Sequence, residues 1–450
     1  MVKINFLLLL AVGLVFASCS KSEPPRGGDS PNGSENPPPQ GSGANKLPYP
    51  IDSVFVVSSV PEATREKTRL NQSFLSSDFS PTGWYVNANE KIVVNLRRTK
   101  GNNYPTLIIG TYNKYSGSKN VQVVYLTPGN NTVVPEYSGL VFIRYDGDAN
   151  MHQSTVKFMS GMYPAPIYIA GKTTKQQWRG MLNTYTTSSD AVLYGGKIII
   201  ALNRRVALDN IAQDQELLLA NANQIWEWQE DISGLDGSSA KHSRNPHNHL
   251  MTEYNNDTYF MAAFNYGTFY NHKTAIQVLV RPSDLNSWGP WHEMGHHHQQ
   301  EAYKWSDLTE VTVNIYSLYV EKKLGITPGR LKSSGAWAKI RTYLNQSELV
   351  KNYDTIEDLF VKLGLFAQLS MAYGDDFYIR LHKDTREDLP VTNTDLAKKR
   401  YFMLKACEIS GYDLSRFFKD WGMNGVQSVY PEIEAMNLPA PTINPSSLQE

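Results

Sequence analysis

Cysteine is nearly absent from this 450-residue chain, which has only Cys19 and Cys407. A chain of this length can bury a sizeable core without disulfides, so their absence is compatible with export from the cell. An excess of either charge is also missing, because Lys plus Arg and Asp plus Glu number 43 each. The balance argues against nucleic-acid binding and against a polybasic membrane patch. Cys407 lies in a helical pattern and is predicted to be a small buried residue.

The first fifty residues predict export followed by lipid attachment. An apolar run over 6–16 is too short to span a bilayer. It leads into the small residues Ala17 and Ser18 before Cys19, as in bacterial lipoprotein signals. We therefore predict a signal peptide over 1–18 and lipidation of Cys19, with a secretory peptide cut after Ala17 as the alternative. The expected location is the bacterial cell envelope, at the outer membrane and exposed at the surface, with the lipid as the membrane contact.

Two segments of different composition follow the cysteine. Residues 19–46 are rich in Ser, Pro, Gly and Asn and are predicted to form a disordered tether. Residues 47–162 contain short runs of alternating apolar and polar residues separated by turn-formers, which predicts an antiparallel β-sandwich. A scaffold role is favoured over glycan binding for this sandwich, since no exposed aromatic platform stands out from the core aromatics.

The segment from Trp291 to Gln300 carries the strongest chemical signal. In an α-helix, His292 and His296 lie on one face with their imidazoles close enough to share a tetrahedral ion. Glu293 is one step round the helix, outside the set of ligands but within reach of a water on the metal. This HExxH pattern predicts a zinc site that carries its own general base.

A third ligand is expected from a second helix. Apolar residues at helical spacing predict a helix over 306–324, and Glu310, Asn314 and Ser317 share the face that they leave free. Glu310 would complete a His, His, Glu set of gluzincin type and leave the fourth position open. Asn314 is expected to orient that carboxylate or meet substrate, with plain packing equally favoured.

Two further histidines follow the motif. His297 and His298 point away from the face of His292 and His296, so a supporting or surface position is favoured over a ligand role. The pair Gly289 and Pro290 supplies a plausible start for the motif helix.

These residues resemble the enhancin-type zinc metallopeptidases, peptidase family M-sixty. The resemblance rests on 288–296 and 309–317, and extends to 81–86 and 139–145 upstream and 417–422 downstream. It implies an endopeptidase that acts on O-glycosylated, mucin-like proteins and uses one Zn²⁺. By position it implies His292, His296 and Glu310 as zinc ligands and Glu293 as the catalytic base.

The remaining elements are predicted from periodicity. The zincin-type catalytic subdomain is expected over 163–330, a helical subdomain over 331–430 and a tail over 431–450. Strands are predicted at 197–202 and 275–280, the latter as a candidate edge strand beside the motif helix, and a long helix at 209–231. A loop over 247–270 offers aromatic side chains for sugar stacking or for packing.

The whole chain is thus predicted to be an α+β protein and a zinc-dependent endopeptidase of glycoproteins. The main alternative is a surface glycan-binding lipoprotein with an inactive peptidase-like domain. Two further alternatives are a metal-scavenging surface protein that uses the His-rich cluster and, within the hydrolases, an exopeptidase.

Overall fold

The computed structural model describes residues 48–49, 51–115 and 121–450. The predicted signal peptide over 1–18, the tether over 19–46 and the lipidation site Cys19 lie outside the described residues. None of the helices in these ranges is both long and apolar enough to cross a membrane.

The amino-terminal part is a sandwich of two antiparallel sheets. Its strands are β1 Val54–Ser58, β2 Phe79–Val86, β3 Ile92–Lys100, β4 Thr106–Ile109, β5 Gln122–Tyr125, β6 Gly129–Val133, β7 Gly139–Arg144, β8 Gln153–Ser160 and β9 Tyr163–Pro164, with helix α1 Ala63–Leu70 between the first two. One sheet has the order β1-β8-β3-β6 and the other β5-β4-β7-β2-β9. The predicted β-rich amino-terminal portion is therefore present.

Alternation of apolar and polar residues explains how the two sheets pack. Along β3, the side chains of Ile92, Val94 and Leu96 are buried while Val93 and Asn95 are half-exposed. Because successive side chains on a strand point to opposite faces, one face of β3 packs into the sandwich core.

A six-stranded mixed sheet begins the second part of the chain. Its strands are β10 Ile167–Ile169, β11 Asp190–Gly195, β12 Ile198–Asn203, β13 His249–Tyr254, β14 Met261–Phe264 and β15 Gly267–Asn271. Their order is β10-β11-β12-β13-β15-β14, and the pairs β11/β12 and β14/β15 are antiparallel. Strand β14 is thus an edge strand, one side of which has no strand partner in this sheet.

Helices form the rest of the described chain. They are α2 Lys175–Thr184, α3 Arg204–Asp209, α4 Gln215–Ile232, α5 Pro282–Leu285, α6 Trp288–Gly295, α7 Thr309–Thr312, α8 Asn314–Lys323, α9 Arg330–Ser333, α10 Ala336–Leu344, α11 Leu359–Tyr373, α12 Asp375–Asp388, α13 Asp395–Ser410, α14 Ser415–Asp420 and α15 Tyr430–Ala435. The α+β class predicted from the sequence is confirmed.

The carboxy-terminal helices surround the largest apolar cluster of the described residues. Helix α11 lies at its centre, where Leu363, Leu365 and Phe366 are fully buried. A helix that is apolar all round in this way is expected inside a bundle rather than on its surface. Cys407 on α13 is buried, as predicted.

Three local predictions are wrong. The run 275–280 forms a 3₁₀ turn at Ile276–Leu279, because a short buried apolar run does not distinguish a strand from a helical turn. Much of the predicted loop over 247–270 is instead the strands β13, β14 and β15. The long helix predicted over 209–231 is wrong at its start, because α3 ends at Asp209 and α4 begins only at Gln215, where Asp214 accepts a hydrogen bond from Leu217 N.

Candidate metal centre

Two packed elements carry the polar residues of the HExxH motif and of the predicted third ligand. Helix α6 holds His292 and Glu293 and ends with His296 as its C-cap, whose backbone N–H still donates to His292 O at 3.2 Å. Glu310 lies on α7, and Asn314 opens α8 directly after it. The predicted helix over 306–324 is therefore two short helices that meet at Val313.

Three side-chain atoms converge between these helices. Nε2 of His292 lies 2.8 Å from Glu310 Oε2 and 3.2 Å from Nε2 of His296. Nε2 of His296 lies 3.5 Å from the same carboxylate oxygen. His292, His296 and Glu310 are the one set of described residues whose possible metal-ligating atoms are grouped in this way.

The outer nitrogen of each histidine is held by an amide oxygen. Nδ1 of His292 lies 2.8 Å from Asn314 Oδ1, and Nδ1 of His296 lies 3.1 Å from Gln299 Oε1. The orientation of each amide follows from its own donors, because Asn314 Nδ2 donates to Glu310 O and Gln299 Nε2 donates to Thr309 O. An amide oxygen can only accept, so both histidines carry a proton on Nδ1.

This protonation turns the lone pairs of both Nε2 atoms toward the carboxylate of Glu310. Three acceptor atoms that face one another repel unless a cation lies between them. Ligands at about 2.0–2.1 Å from a tetrahedral zinc ion are separated by about 3.3 Å, close to the spacing of these three atoms. The residues present therefore fit a zinc ion with one position left open.

Electrostatics at the cluster separate the two glutamates. Burial raises the pKa of Glu310, but the adjacent His292 and His296 lower it by more, and the net effect is a pKa below the usual value. Burial raises the pKa of Glu293, and the nearby histidines only partly oppose that rise. One carboxylate is thus held ionised while the other gains affinity for a proton, a separation expected between a ligand and a base.

A glycine permits the close approach of α6 to α8. A Cβ atom on Gly295 would lie 3.1 Å from Val313 O and 3.3 Å from Tyr316 Cβ. Contacts this short leave little room for a side chain between His296 and the helix that follows Glu310. The distance between the histidines and the glutamate therefore depends on Gly295.

The two histidines after the motif are buried and lie outside the cluster. Nε2 of His297 is 3.1 Å from Gly267 O at the start of β15. The ring of His298 is fully buried and packs against Trp226 at a centroid distance of 4.4 Å. Both therefore support the fold beneath the motif, and neither lies at the surface.

Two residues near the cluster were missed by sequence reasoning. Gln299 is buried three residues after His296, a position where a polar amide in a His-rich segment was a usable signal. Phe74 comes from the amino-terminal part, and its ring centroid lies 6.4 Å from that of His296. No local pattern around Phe74 links it to a motif more than 200 positions away.

Several solved structures have folds similar to that of this chain. A conserved protein of unknown function from Bacillus anthracis strain Ames matches with 28% identity and a TM-score of 0.80, over 88% of this chain and 81% of that one. The M60 catalytic domain of ZmpC from Clostridium perfringens, solved with the sialyl T antigen, matches with 20% identity and a TM-score of 0.75, over 88% and 82% of the two chains.

Among curated proteins, an AcfD homolog of Escherichia coli strain K12 whose name describes a lipoprotein is 23% identical over 377 residues. The match covers 70% of this chain and 24% of that protein. The chain therefore spans about a quarter of the length of this relative.

Fold and family together put this chain in the class of metallopeptidases. It belongs to the family described as Peptidase M60, enhancin and enhancin-like, whose model matches residues 161–422. The model for the N-terminal domain of M60-like peptidases matches residues 61–159. The family resemblance drawn from the motif is confirmed.

Proposed function

We propose that the chain is a zinc-dependent endopeptidase that hydrolyses peptide bonds in O-glycosylated, mucin-like proteins. The observation that carries the proposal is the convergence of Nε2 of His292, Nε2 of His296 and Oε2 of Glu310 at separations of 2.8–3.5 Å. With Glu293 beside them, these residues form a gluzincin-type set.

The chain's own residues divide the chemistry between them. Bound zinc would polarise the scissile carbonyl and make a water more acidic. Glu293 takes the proton of the attacking water and returns it to the leaving amine, a role suited to a carboxylate whose pKa burial has raised. Asn314 and Gln299 hold His292 and His296 in the tautomer that presents Nε2.

The edge strand β14 offers a place for the substrate backbone. At one end of the strand, a Cβ on Gly289 of α6 would lie 2.8 Å from Met261 Sδ. At the other end, Phe264 pairs with Gly267 of β15. The carbonyl oxygen of Gly267 lies 3.1 Å from Nε2 of His297, the residue that follows His296. The strand therefore runs alongside the motif helix, and an extended peptide could pair with its open side by strand addition.

A glycoprotein is the substrate class that we favour. ZmpC, whose catalytic domain shares this fold, was solved with the sialyl T antigen, and the motif resemblance points to the same substrates. We also propose that Cys19 is lipidated and that the protein is held at the cell envelope, supported by the lipoprotein name of the Escherichia coli relative. We also propose a boundary between the sandwich and the catalytic subdomain at 162/163. The two family models, over 61–159 and 161–422, support it.

The test uses the chain from Lys46 onward, with zinc, on an O-glycosylated mucin and on its deglycosylated form. Fragments are mapped by mass spectrometry beside the Glu293→Gln variant. We expect cleavage of the glycosylated form and none by the variant. Glycan binding without cleavage of either form, while zinc is bound, would favour the glycan-binding alternative.

A further inference from the structure

The segment over 71–77 joins α1 to β2 and crosses from the sandwich to the catalytic part. Gln72 forms a β-bridge with Gln300, and the side chain of Gln300 donates to Leu70 O at 3.1 Å. Ser73 Oγ accepts from Lys304 Nζ at 2.7 Å. One edge of the segment is thus bonded to the chain that follows the HExxH motif.

The other edge of the segment is bonded to the turn between β14 and β15. Leu75 N donates to Asn265 Oδ1 at 3.0 Å, and Tyr266 N donates to Leu75 O at 2.7 Å. Ser77 N donates to Asn248 O at 3.1 Å. Bonds on both edges fix the backbone of the segment on either side of Phe74.

Phe74 lies between these two anchors and beside the candidate metal centre. Its ring meets that of His296 edge-on, with centroids 6.4 Å apart and planes at 79°. The centroid of the His297 ring is 5.5 Å away. Phe74 is half-buried, so part of the residue remains accessible to solvent.

The path of β14 brings a substrate toward this ring. The strand runs along α6 from Met261 to Phe264, and Asn265, immediately after it, holds Leu75. A peptide that pairs with the open side of β14 therefore leaves the strand where Phe74 stands. An aromatic ring there offers an apolar face next to the reacting groups.

We propose that Phe74, contributed by the N-terminal domain, is a specificity-determining residue of the cleft. It packs against an apolar C–H surface of the substrate group that lies over His296. That surface belongs either to an amino-acid side chain or to a sugar ring. The inference deepens the proposed function and rests on it for the identity of the substrate.

The test measures ligand binding as well as turnover. Cobalt-loaded protein is titrated with acetohydroxamic acid and with benzohydroxamic acid, followed by the visible spectrum of the metal. The variants are Phe74→Ala and Phe74→Leu, with Tyr125→Ala as the control, since Tyr125 is an aromatic of the same domain that is 80% exposed.

We expect Phe74→Ala to weaken benzohydroxamic acid binding by about tenfold, because the phenyl group loses its apolar partner. The affinity for acetohydroxamic acid should change by less than about twofold, because its methyl group has little apolar surface to lose. Phe74→Leu should recover most of the loss, and Tyr125→Ala should match the wild type. If Phe74→Ala does not fold, Phe74→Gln, which fills the site but replaces the apolar ring with a polar amide, is compared with Phe74→Leu instead.

Equal loss for both hydroxamates, or loss of cobalt, would overturn the proposal, because Phe74 would then only position His296. Unchanged binding of both would overturn it too. If wild type cleaves no mucin while binding depends on Phe74 as expected, the proposed function fails and the inference stands. Where wild type cleaves several glycoproteins that carry different O-glycans, a Phe74→Ala defect that depends on the glycan assigns the contact to sugar, and an equal defect on all of them assigns it to a side chain.

Discussion

Two amide side chains fix the protonation of the candidate ligands. Asn314 links both helices of the site, because it accepts from Nδ1 of His292 and donates to the carbonyl of Glu310. The sequence left open whether Asn314 orients the Glu310 carboxylate, meets substrate or only packs, and in the structure its amide oxygen contacts the His292 imidazole. Partners of this kind are worth about tenfold to 100-fold in metal affinity.

Asn314→Leu should therefore weaken zinc binding by about tenfold to 100-fold, since Nδ1 of His292 loses its acceptor. Asn314→Asp keeps an acceptor at the same position and should bind zinc nearly as well as wild type. Competition with a chromophoric chelator measures both. Equal affinity of the leucine variant and wild type would contradict the role of Asn314.

Glu293→Gln should keep zinc and reduce kcat by at least about 10²-fold to 10⁴-fold, because it removes the base without removing a ligand. His296→Ala should lose zinc and activity together. Metal content by atomic absorption, measured beside turnover, separates the two outcomes. A fully active Glu293→Gln would show that another group takes the proton.

Among single residues, those whose role follows from helical spacing could be predicted from the sequence. His292, Glu293 and His296 stand out because their spacing is local, and Glu310 because its helix could be recognised from its apolar stripe. The polar amide of Gln299 in a His-rich segment marked it as a candidate, but spacing did not predict its partner, and nothing local marked Phe74. The role of Gln299 depends on a chain reversal after the motif helix, and that of Phe74 on contacts between parts distant in sequence.

At the scale of elements, the separation of α6 from α8 sets the size of the site. Gly295→Val should push the helices apart, because even a Cβ would lie 3.1 Å from Val313 O. We expect zinc affinity to fall by at least about tenfold and stability by about 1–3 kcal/mol. Isothermal titration and urea unfolding measure the two effects.

Gly425→Ala is the matched control for that variant, since a Cβ at Gly425 meets no atom within 4 Å. It should leave both quantities unchanged. Zinc affinity of Gly295→Val equal to that of the control would mean that the helices do not set the ligand spacing.

Short buried runs were the least predictable elements, because one of the two was assigned correctly and the other was not. The strand over 197–202 is present as β12, and the helices of the carboxy-terminal part are present as well. The run 275–280 was wrongly predicted as a strand because a short and mainly apolar run carries no clear period. The edge position beside the motif belongs to β14, whose residues Met261–Phe264 fell within the predicted loop.

At the scale of the whole molecule, a buried ion cluster joins the sandwich to the catalytic sheet. Lys114, which follows β4, pairs with Asp190 of β11 and lies 2.8 Å from Glu253 of β13. Burial lowers the pKa of Lys114, but the two carboxylates raise it beyond its usual value, so the lysine is charged.

Lys114→Met should destabilise the fold by about 3–5 kcal/mol, because it leaves two buried carboxylates without their cation. Lys157→Met, at an exposed position on β8, should change stability by less than about 0.5 kcal/mol. Urea unfolding compares the two. Equal stability would show that Lys114 contributes nothing to the junction.

Stability should also fall in mild acid, because histidines are buried in their neutral form. Burial, with the charge of Arg386, lowers the pKa of His382 to about 3. Its Nδ1 donates to Ile232 O and its Nε2 accepts from the Tyr303 hydroxyl, with the Tyr316 hydroxyl also 2.9 Å away. The unfolded chain, with a pKa near 6.5, binds the proton first, so stability is lost as pH falls below about 6.5.

From pH 7 to pH 5 this one histidine should remove about 2 kcal/mol of unfolding free energy. His382→Gln keeps a donor and an acceptor but no longer titrates. Urea unfolding at both pH values should show a pH dependence that is smaller by that amount in the variant. The same slope in both proteins would mean that His382 is not the titrating group.

The arrangement of the two parts was the least predictable property. The sequence indicated a sandwich and a catalytic region, yet nothing in either pattern predicts that 71–77 reaches the metal centre or that Lys114 meets Glu253. Such contacts depend on tertiary packing between elements distant in sequence, which local periodicity does not predict.

The crossing segment over 71–77 bears on how members of this family diverge. Since Phe74 lies within the N-terminal family domain and the HExxH helix within the peptidase domain, the two halves of one cleft are inherited in different modules. If Phe74 selects the substrate as proposed, exchange of the N-terminal domain between relatives would transfer that preference and leave His292, Glu293, His296 and Glu310 unchanged. A preference for new glycoproteins could then arise without any change near the metal.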